Sequence, residues 1–193
     1  EKILNNRALR DEVNEIIFTL ECLGTCETKN IIEVFHDYIG PGKISKTLSC
    51  DLSAIKAVPY YGCVLTRIPG MDVFDDTEDP VSMDALLWAS GMQVVKWPFK
   101  MECCGASKTL TNKDVTLKLS GRIMDMAHKM GADAIVTSCP LCQLNLDLLP
   151  YLGKTENNLP VLFLTEVFEL AVFGNIGGVG SHIIPVDGEV KKV

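Results

Sequence analysis

Two adjacent cysteines, Cys103 and Cys104, stand in the segment KMECCGAS and are followed by Gly105. Neighbouring residues form a disulfide only with difficulty, and their two sulfurs reach one small ion poorly. A CxxC pair, Cys139 and Cys142, follows in SCPLCQ, and this spacing alone suits either a redox dithiol or half of a zinc site. The first expectation is therefore metal or redox chemistry carried by thiols.

Alternating strands and helices are predicted over residues 54–175. The predicted strands are 54–61, 92–97, 133–138 and 160–165, and the predicted helices are 79–91, 112–131, 140–149 and 166–174. Strands that are apolar on both faces are typical of a parallel sheet covered by helices. The expected fold class is α/β, a Rossmann-like parallel sheet flanked by helices.

Two further segments complete the predicted organisation. Residues 1–50 are expected to form an N-terminal helical segment, opening with apolar side chains at helical spacing from Leu9 to Leu20. Residues 176–193 are expected to form a glycine-rich C-terminal tail. Within the α/β domain, the apolar spacing of the 140–149 helix predicts that Leu141, Leu144 and Leu148 face the core.

Five cysteines follow the predicted strands at their carboxyl ends. They are Cys63 after the first strand, Cys103 and Cys104 after the second, and Cys139 and Cys142 after the third. In open parallel sheets these ends share the edge at which ligands bind. The five thiols are therefore expected to converge, although up to 79 positions (142 − 63) separate them.

The residues around these cysteines suit a ligand site. Pro140 favours the first helical position, which makes Cys139 the expected N-cap and places Cys139 and Cys142 at the positive end of a helix dipole, where thiolates are stabilised. Gly62 is expected to let the backbone approach a bulky ligand closely, and Gly105 to allow a positive φ after the doublet.

Composition excludes several other classes of function. The net charge is −7 and no run of five or six Lys or Arg occurs, so a nucleic-acid partner is not expected. No apolar stretch is long enough to cross a membrane, so the chain is not expected to be membrane-spanning itself. The opening residues do not resemble a secretory signal, and a cytoplasmic location, where thiols stay reduced, is expected.

Several identities remain open for a group bound by the thiols. A structural zinc ion takes four ligands, whereas this edge offers five sulfurs, so a larger multi-iron cluster fits better. A zinc-stabilised assembly module without catalysis is one alternative. A thioredoxin-like dithiol at Cys139 and Cys142 is another, but it leaves the doublet unexplained.

Three segments, PYYGC (59–63), CCGAS (103–107) and TSCPLCQLNL (137–146), resemble the cysteine-rich CCG-domain family. The flanking sequence is similar to the B subunit of heterodisulfide reductase, with only the second, C-terminal CCG motif present. The resemblance implies one non-cubane 4Fe-4S cluster per chain, held by Cys63, Cys103, Cys104, Cys139 and Cys142. It implies an oxidoreductase subunit that acts in cleavage or formation of a substrate disulfide of the coenzyme M–coenzyme B type. It also implies a flavin-bearing subunit and a small iron–sulfur subunit as partners in a heterodisulfide reductase-like complex.

Members of this family usually carry two such motifs. Residues 1–50 are therefore interpreted as a remnant or linker after a missing N-terminal CCG half, and this chain alone is expected to be an incomplete enzyme. Related subunits in sulfur oxidation, or electron-transfer and assembly subunits in lactate, glycolate or fumarate/succinate metabolism, are alternatives within the same resemblance. His182 in the tail could donate a proton or a hydrogen bond to a substrate sulfur, although a loop histidine is commonly incidental.

Overall fold

The computed structural model describes residues 3–67, 74–153, 157–177 and 182–186. The chain divides into two compact units, Glu1–Asn30 and Ile31–Val193. The larger unit carries the sheet and the cysteines that follow its strands. The predicted division of the chain at residues 50–54 and 176 stays a prediction.

In its described residues, 3–30, the smaller unit forms one helix, α1 (Arg7–Ile16). Asn6 caps its start, because the Asn6 side chain accepts a hydrogen bond from the Leu9 N–H at 3.1 Å. The Asn14 side chain bonds both the N–H of Cys22, at 2.6 Å, and its carbonyl, at 3.2 Å. These bonds turn the chain back after the helix, which ends at Ile16 rather than at Leu20 as its apolar spacing predicts.

The larger unit is built on four parallel strands: β1 (Lys56–Tyr60), β2 (Gln93–Val94), β3 (Ala134–Thr137) and β4 (Val161–Phe163). Their order across the sheet is β2-β1-β3-β4. Val58 lies opposite Ile135 in the central pair, and Val136 lies opposite Leu162. From β1 the chain first adds β2 on one side of β1 and then adds β3 on the opposite side of β1. The direction in which strands are added to the sheet therefore reverses between β1 and β3. The parallel α/β fold is confirmed.

Helices connect and cover these strands. Before β1 lie α2 (Ile31–Glu33), which continues as a π-helical turn over Val34–Ile39, and α3 (Pro41–Ile44). After β1 come α4 (Val64–Arg67), α5 (Ser82–Ala89), α6 (Lys113–Lys129), α7 (Pro140–Gly153) and α8 (Leu164–Phe173). Across the described ranges, every helix is too short or too polar to serve as a membrane span.

The strands bury side chains on both faces of the sheet. Ala57, Val136 and Leu162 belong to one core layer, together with buried residues of α5 and α8. Val58, Ile135 and Val161 belong to the other layer, together with buried residues of α6 and α7. Alternate residues of each strand thus supply the two layers, as a sheet covered on both sides requires.

Strand β2 is much shorter than the predicted run of 92–97. Ladder-type pairing extends to the Val95 N–H, which donates to the Ala57 carbonyl at 2.9 Å. Beyond it, the Trp97 indole N–H donates to the Pro59 carbonyl at 2.8 Å, and Pro98 has no N–H to donate. The chain therefore leaves the sheet and leads toward the doublet.

Two helices bury polar side chains in the core. In α6 the buried positions include Thr116 and Ser120, because their hydroxyls bond carbonyls inside the core, those of Gly105 and Thr116. In α7 the prediction that Leu141 and Leu144 face the core is wrong: their exposed fractions are 63% and 54%. Residues Cys142, Asn145 and Leu146 occupy the inner face instead, so the helix is turned with its polar and thiol side chains inward.

Candidate metal centre

The candidate site lies at the carboxyl ends of the strands, at the reversal of strand order between β1 and β3. Cys63 stands three residues beyond β1, and Cys139 two residues beyond β3. The doublet follows the irregular segment after β2. A crevice at such a reversal is where open α/β sheets bind ligands.

The structure brings the predicted thiols together in pairs. The Cys63 and Cys103 sulfurs are 3.9 Å apart, and the Cys104 and Cys142 sulfurs are 3.6 Å apart. The Cys139 thiol is hydrogen-bonded to that of Cys142, which joins the two cysteines of the CxxC segment. The structure thus places four of the five predicted thiols in two close pairs, and a single site that uses all five stays a prediction.

The start of α7 acts on Cys139 as its sequence predicts. The hydrogen bond with the Cys142 thiol lowers the pKa of Cys139 to about 6, burial opposes this, and the backbone N–H groups of Cys142 and Leu141 lower it further. Both N–H groups belong to the first turn of the helix, where they have no partner inside the helix. Cys139 is thus an N-cap residue whose sulfur accepts hydrogen bonds.

Cys104 and Cys142 form the buried part of the site, with exposed fractions of 2% and 6%. The bond with Cys142 lowers the pKa of Cys104 to about 6, burial opposes this, and the Ala106 N–H and the Asn145 amide lower it further. The pKa of Cys142 is raised, first by its bonds to Cys104 and Cys139 and then by burial. In the free thiols, the two neighbouring sulfurs act on Cys142 against the helix dipole, which by itself favours a thiolate at this position.

Cys63 and Cys103 lie nearer the solvent. Burial raises the pKa of Cys63, and the neighbouring Cys103 raises it further. Cys103 is exposed, and its sulfur accepts the Gly105 N–H at 3.3 Å. This pair forms the open side of the site, while Cys104 and Cys142 form its inner side.

The two predicted glycines lie where a side chain would collide. At Gly62, φ is +71°, and an added Cβ would stand 3.0 Å from the Cys142 sulfur. At Gly105, φ is +81°, and an added Cβ would stand 3.1 Å from the Thr116 Cα. Each position therefore requires both a left-handed backbone and close packing, which glycine alone supplies without strain.

The separations of the sulfurs indicate which groups these thiols can bind. Two thiolates on one tetrahedral ion with metal–sulfur bonds of ~2.3 Å lie roughly 3.8 Å apart. Both sulfur pairs stand near that separation, and five thiols exceed the four ligands that one zinc ion takes. Within the described ranges, no group of three or more His, Cys, Asp or Glu side chains is placed to hold a single ion. The donor set fits a sulfur-rich centre with more than one metal atom better than it fits a lone zinc ion.

A buried ion pair fixes the loops before Cys63 and Cys103. The Lys100 ammonium lies 2.9 Å from Asp84, and the exposed fractions of the two side chains are 12% and 8%. Asp84 also accepts the Tyr61 hydroxyl at 2.7 Å. The Lys100 carbonyl accepts the N–H groups of Tyr61 at 2.9 Å and Gly62 at 3.2 Å. Nothing in the local sequence marks this network, because its members are distant along the chain and meet only in the fold.

Tyr60 forms the floor of the site. Burial raises the pKa of Tyr60, and the thiols of Cys104, Cys142, Cys103 and Cys63 raise it further. Its hydroxyl therefore stays protonated and donates to the Glu102 carbonyl, just before the doublet. Like the Lys100 network, this bond is a long-range support that sequence patterns do not reveal.

Two open cavities flank Lys100. The larger, of about 620 Å³, opens on Trp88, Trp97 and Lys96, and the described residues that line it include no cysteine. The smaller, of about 260 Å³, reaches Glu102 beside the doublet and is also lined by Arg67. Arg67 bonds Glu78 at 3.0 Å, so this cation is already paired. The smaller cavity is the one that reaches the residue before the doublet, although its described lining also includes no cysteine.

His182 is buried, with a side-chain exposed fraction of 2%, rather than exposed in a loop. Its Nε2 lies 2.9 Å from Glu166, whose other oxygen accepts the Phe163 N–H at 2.6 Å and the Gln143 amide at 3.4 Å. Its Nδ1 has no partner among the described residues. These bonds connect His182 to the residue after Cys142 and not to a cysteine, and its role toward a substrate stays a prediction. Residues 178–181 and 187–193 of the tail lie outside the described residues.

The other three cysteines are Cys22, Cys26 and Cys50. All eight cysteines are free thiols. Cys22 and Cys26 belong to the smaller unit. Cys50 packs beside the end of α8, close to Gly174: a Cβ added to Gly174 would stand 3.0 Å from the Cys50 sulfur.

Comparison with protein families gives one match within this unit. Residues 57–147 match the family model described as "CCG: Cysteine-rich domain". The matched range begins in β1 and ends in α7, so it contains the five thiols and the two glycines.

The chain is similar to subunits of two kinds of reductase. The chain is 32% identical to the B subunit of "Ferredoxin:CoB-CoM heterodisulfide reductase" of Methanosarcina mazei, over 79% of this chain and 53% of that protein. It is 28% identical to "8-methylmenaquinol:fumarate reductase membrane anchor subunit" of Wolinella succinogenes, over 86% of this chain and 60% of that protein. The chain thus spans a little more than half the length of these relatives.

A solved structure shows the same fold. The crystal structure of a hypothetical protein from Helicobacter pylori superposes with a TM-score of 0.66, over 95% of this chain and 34% of that one. The two sequences are 13% identical, so this likeness concerns the fold alone.

Proposed function

Since the chain belongs to the cysteine-rich CCG-domain family through residues 57–147, we propose that it is the iron–sulfur subunit of a heterodisulfide reductase-like oxidoreductase. The observation that carries the proposal is the pairing of four thiols at the strand-order reversal, with a fifth bonded to Cys142. The relatives named as B subunits of heterodisulfide reductases support the class of complex. The proposed location is the reducing cytoplasm, where such thiols stay available.

In this proposal, Cys63, Cys103, Cys104, Cys139 and Cys142 hold one non-cubane 4Fe-4S cluster. When bound, such a group supplies electrons one at a time to sulfur chemistry. The chain's own residues fix the donors: Gly62 leaves room for the Cys142 sulfur, and the Lys100–Asp84 pair anchors the loops that precede Cys63 and the doublet.

The open side of the site favours a sulfur substrate of limited size. Cys103 is exposed and the smaller cavity reaches the residue before it, so we propose that a disulfide or thiol approaches from this side. Tyr60 is not the proton donor in this scheme, because its hydroxyl is bonded to the Glu102 carbonyl and its pKa is raised. A disulfide of the coenzyme M–coenzyme B type is the proposed substrate, with a flavin-bearing subunit and a small iron–sulfur subunit as partners.

A second candidate function is electron transfer or assembly in a fumarate reductase-like complex. The relative named as a membrane anchor subunit of 8-methylmenaquinol:fumarate reductase favours it, with 86% of this chain matched. In that case the same thiols hold the same type of group, but no substrate sulfur binds it.

Addition of thiol to the anaerobically prepared, iron-loaded chain separates the two functions. Under the heterodisulfide proposal, coenzyme M or coenzyme B changes the electron paramagnetic resonance spectrum of the oxidised centre in proportion to its concentration. An alcohol analogue that replaces the thiol with a hydroxyl leaves the spectrum unchanged. If the protein carries its full iron content and neither thiol changes the spectrum, the electron-transfer function is favoured.

A further inference from the structure

Asn145 lies on the inner face of α7 and contacts the doublet directly. It is 4% exposed. Its Nδ2 donates to the Cys104 carbonyl at 3.3 Å and to the Cys104 sulfur at 3.7 Å. In the described part of the chain, this is the side-chain amide that donates to a cysteine sulfur. The doublet is otherwise bonded by the backbone N–H groups of Gly105 and Ala106 and by the neighbouring thiols of Cys63 and Cys142.

Thr109 fixes the direction of this amide. The Thr109 hydroxyl donates to the Asn145 Oδ1 at 3.0 Å. A flipped amide would set its oxygen against the Cys104 carbonyl, which can only accept, so the flipped orientation is disfavoured. Thr109 itself ends the short 3-10 turn Ala106–Lys108 that begins after Gly105. The loop that carries the doublet therefore also carries the group that orients the amide.

We propose that Asn145, oriented by Thr109, is a positioning residue that sets the reduction potential of the centre held by Cys104. This rests on the proposed function. A one-electron reduction adds one negative charge to the centre and changes no other bond, and part of that charge falls on the thiolate sulfurs. A hydrogen bond to such a sulfur is stronger in the reduced state, so it favours reduction.

The test compares midpoint potentials of the full chain, loaded anaerobically with iron and sulfide, in a titration with dithionite and dye mediators. Asn145→Leu keeps the approximate shape and removes the amide. Thr109→Val removes only the orienting hydroxyl, and Thr109→Ser keeps it. At a solution potential equal to the parent's midpoint potential, we expect the ratio of reduced to oxidised centre to be about fivefold lower in Asn145→Leu than in the parent. This is the change in an equilibrium ratio that the loss of one ordinary hydrogen bond causes. A smaller fall in the same direction is expected for Thr109→Val, with Thr109→Ser at the parent value.

Iron content and melting temperature of each variant separate this effect from simple damage. A lowered potential at unchanged iron content supports the proposal. If Asn145→Leu loses its iron, the midpoint potentials of Thr109→Val and Thr109→Ser test the proposal instead: a lowered potential in Thr109→Val and a parent-like one in Thr109→Ser support it. An unchanged midpoint potential in fully loaded Asn145→Leu overturns this inference. If Asn145→Leu does not bind iron, an unchanged midpoint potential in Thr109→Val overturns it instead. Either result leaves the proposed function intact. A parent chain that binds no iron overturns the proposed function and the inference together.

Discussion

The sulfurs of Cys104 and Cys142 lie 3.6 Å apart, although 38 residues separate them in the sequence. One follows β2 and the other lies in the first turn of α7, after β3, and both are buried. This contact joins the doublet to the CxxC segment and makes them one site. Substitutions at and around the site can therefore reveal whether it holds a metal centre and which residues give it its shape.

Replacement of Cys104 by serine removes a buried donor from the centre of the site. We expect Cys104→Ser to lose most of the bound iron and acid-labile sulfide, because a serine oxygen is a poor donor to this sulfur-rich set. Iron and sulfide assays on anaerobically purified protein measure the change. Cys50→Ser is the matched control, since Cys50 packs beside α8, and it should retain the parent's content. Equal losses in both variants would show that the effect is not specific to the site.

Gly62→Ala tests whether the space beside Cys142 is needed. The added Cβ would stand 3.0 Å from the Cys142 sulfur, at a φ of +71°. We expect a loss of roughly 1–2 kcal/mol in the free energy of unfolding from the left-handed backbone, together with a lower iron content. Gly131→Ala is the control: its φ is +70° and nothing lies within 4 Å of an added Cβ. Denaturant unfolding should give similar stability losses for both, and iron content should fall only in Gly62→Ala. A normal iron content in Gly62→Ala contradicts the packing argument.

Asp84→Asn tests the buried support of the thiol loops. Removing the carboxylate leaves Lys100 with its exposed partner Asp79, at 3.2 Å, and weakens the contact with Tyr61. We expect a loss of about 2–4 kcal/mol in the free energy of unfolding, because one partner of a buried ion pair is removed. Asp79→Asn alters the same lysine from the solvent side and should cost under ~1 kcal/mol. Similar losses for the two variants in denaturant unfolding would be evidence against a special role for the buried pair.

The positions of the cysteines could be predicted because strand ends follow from local apolar runs. Once Cys63, Cys103 and Cys139 are placed after parallel strands, the geometry of the sheet brings them to one edge. The N-cap role of Cys139 was equally accessible, since Pro140 marks the start of the helix. Both predictions use only residues that are neighbours in the sequence, together with the rule that the carboxyl ends of parallel strands share one edge of the sheet.

Contacts between distant residues could not be predicted in this way. Lys100 and Asp84 look like ordinary surface charges until the fold buries them against Tyr61. The inward face of α7 differs from the predicted one because leucines were expected to be buried, whereas Asn145 takes an inner position by bonding Cys104. For His182 the reverse holds: its loop-like sequence suggests exposure, but a bond to Glu166 accompanies its burial.

Whether the five thiols hold an iron–sulfur centre is decided by anaerobic metal and sulfide analysis of the purified chain. We expect about four iron atoms and a similar amount of acid-labile sulfide per chain, with zinc well below one equivalent. One zinc per chain without sulfide would contradict the iron–sulfur centre and would favour a structural zinc site instead.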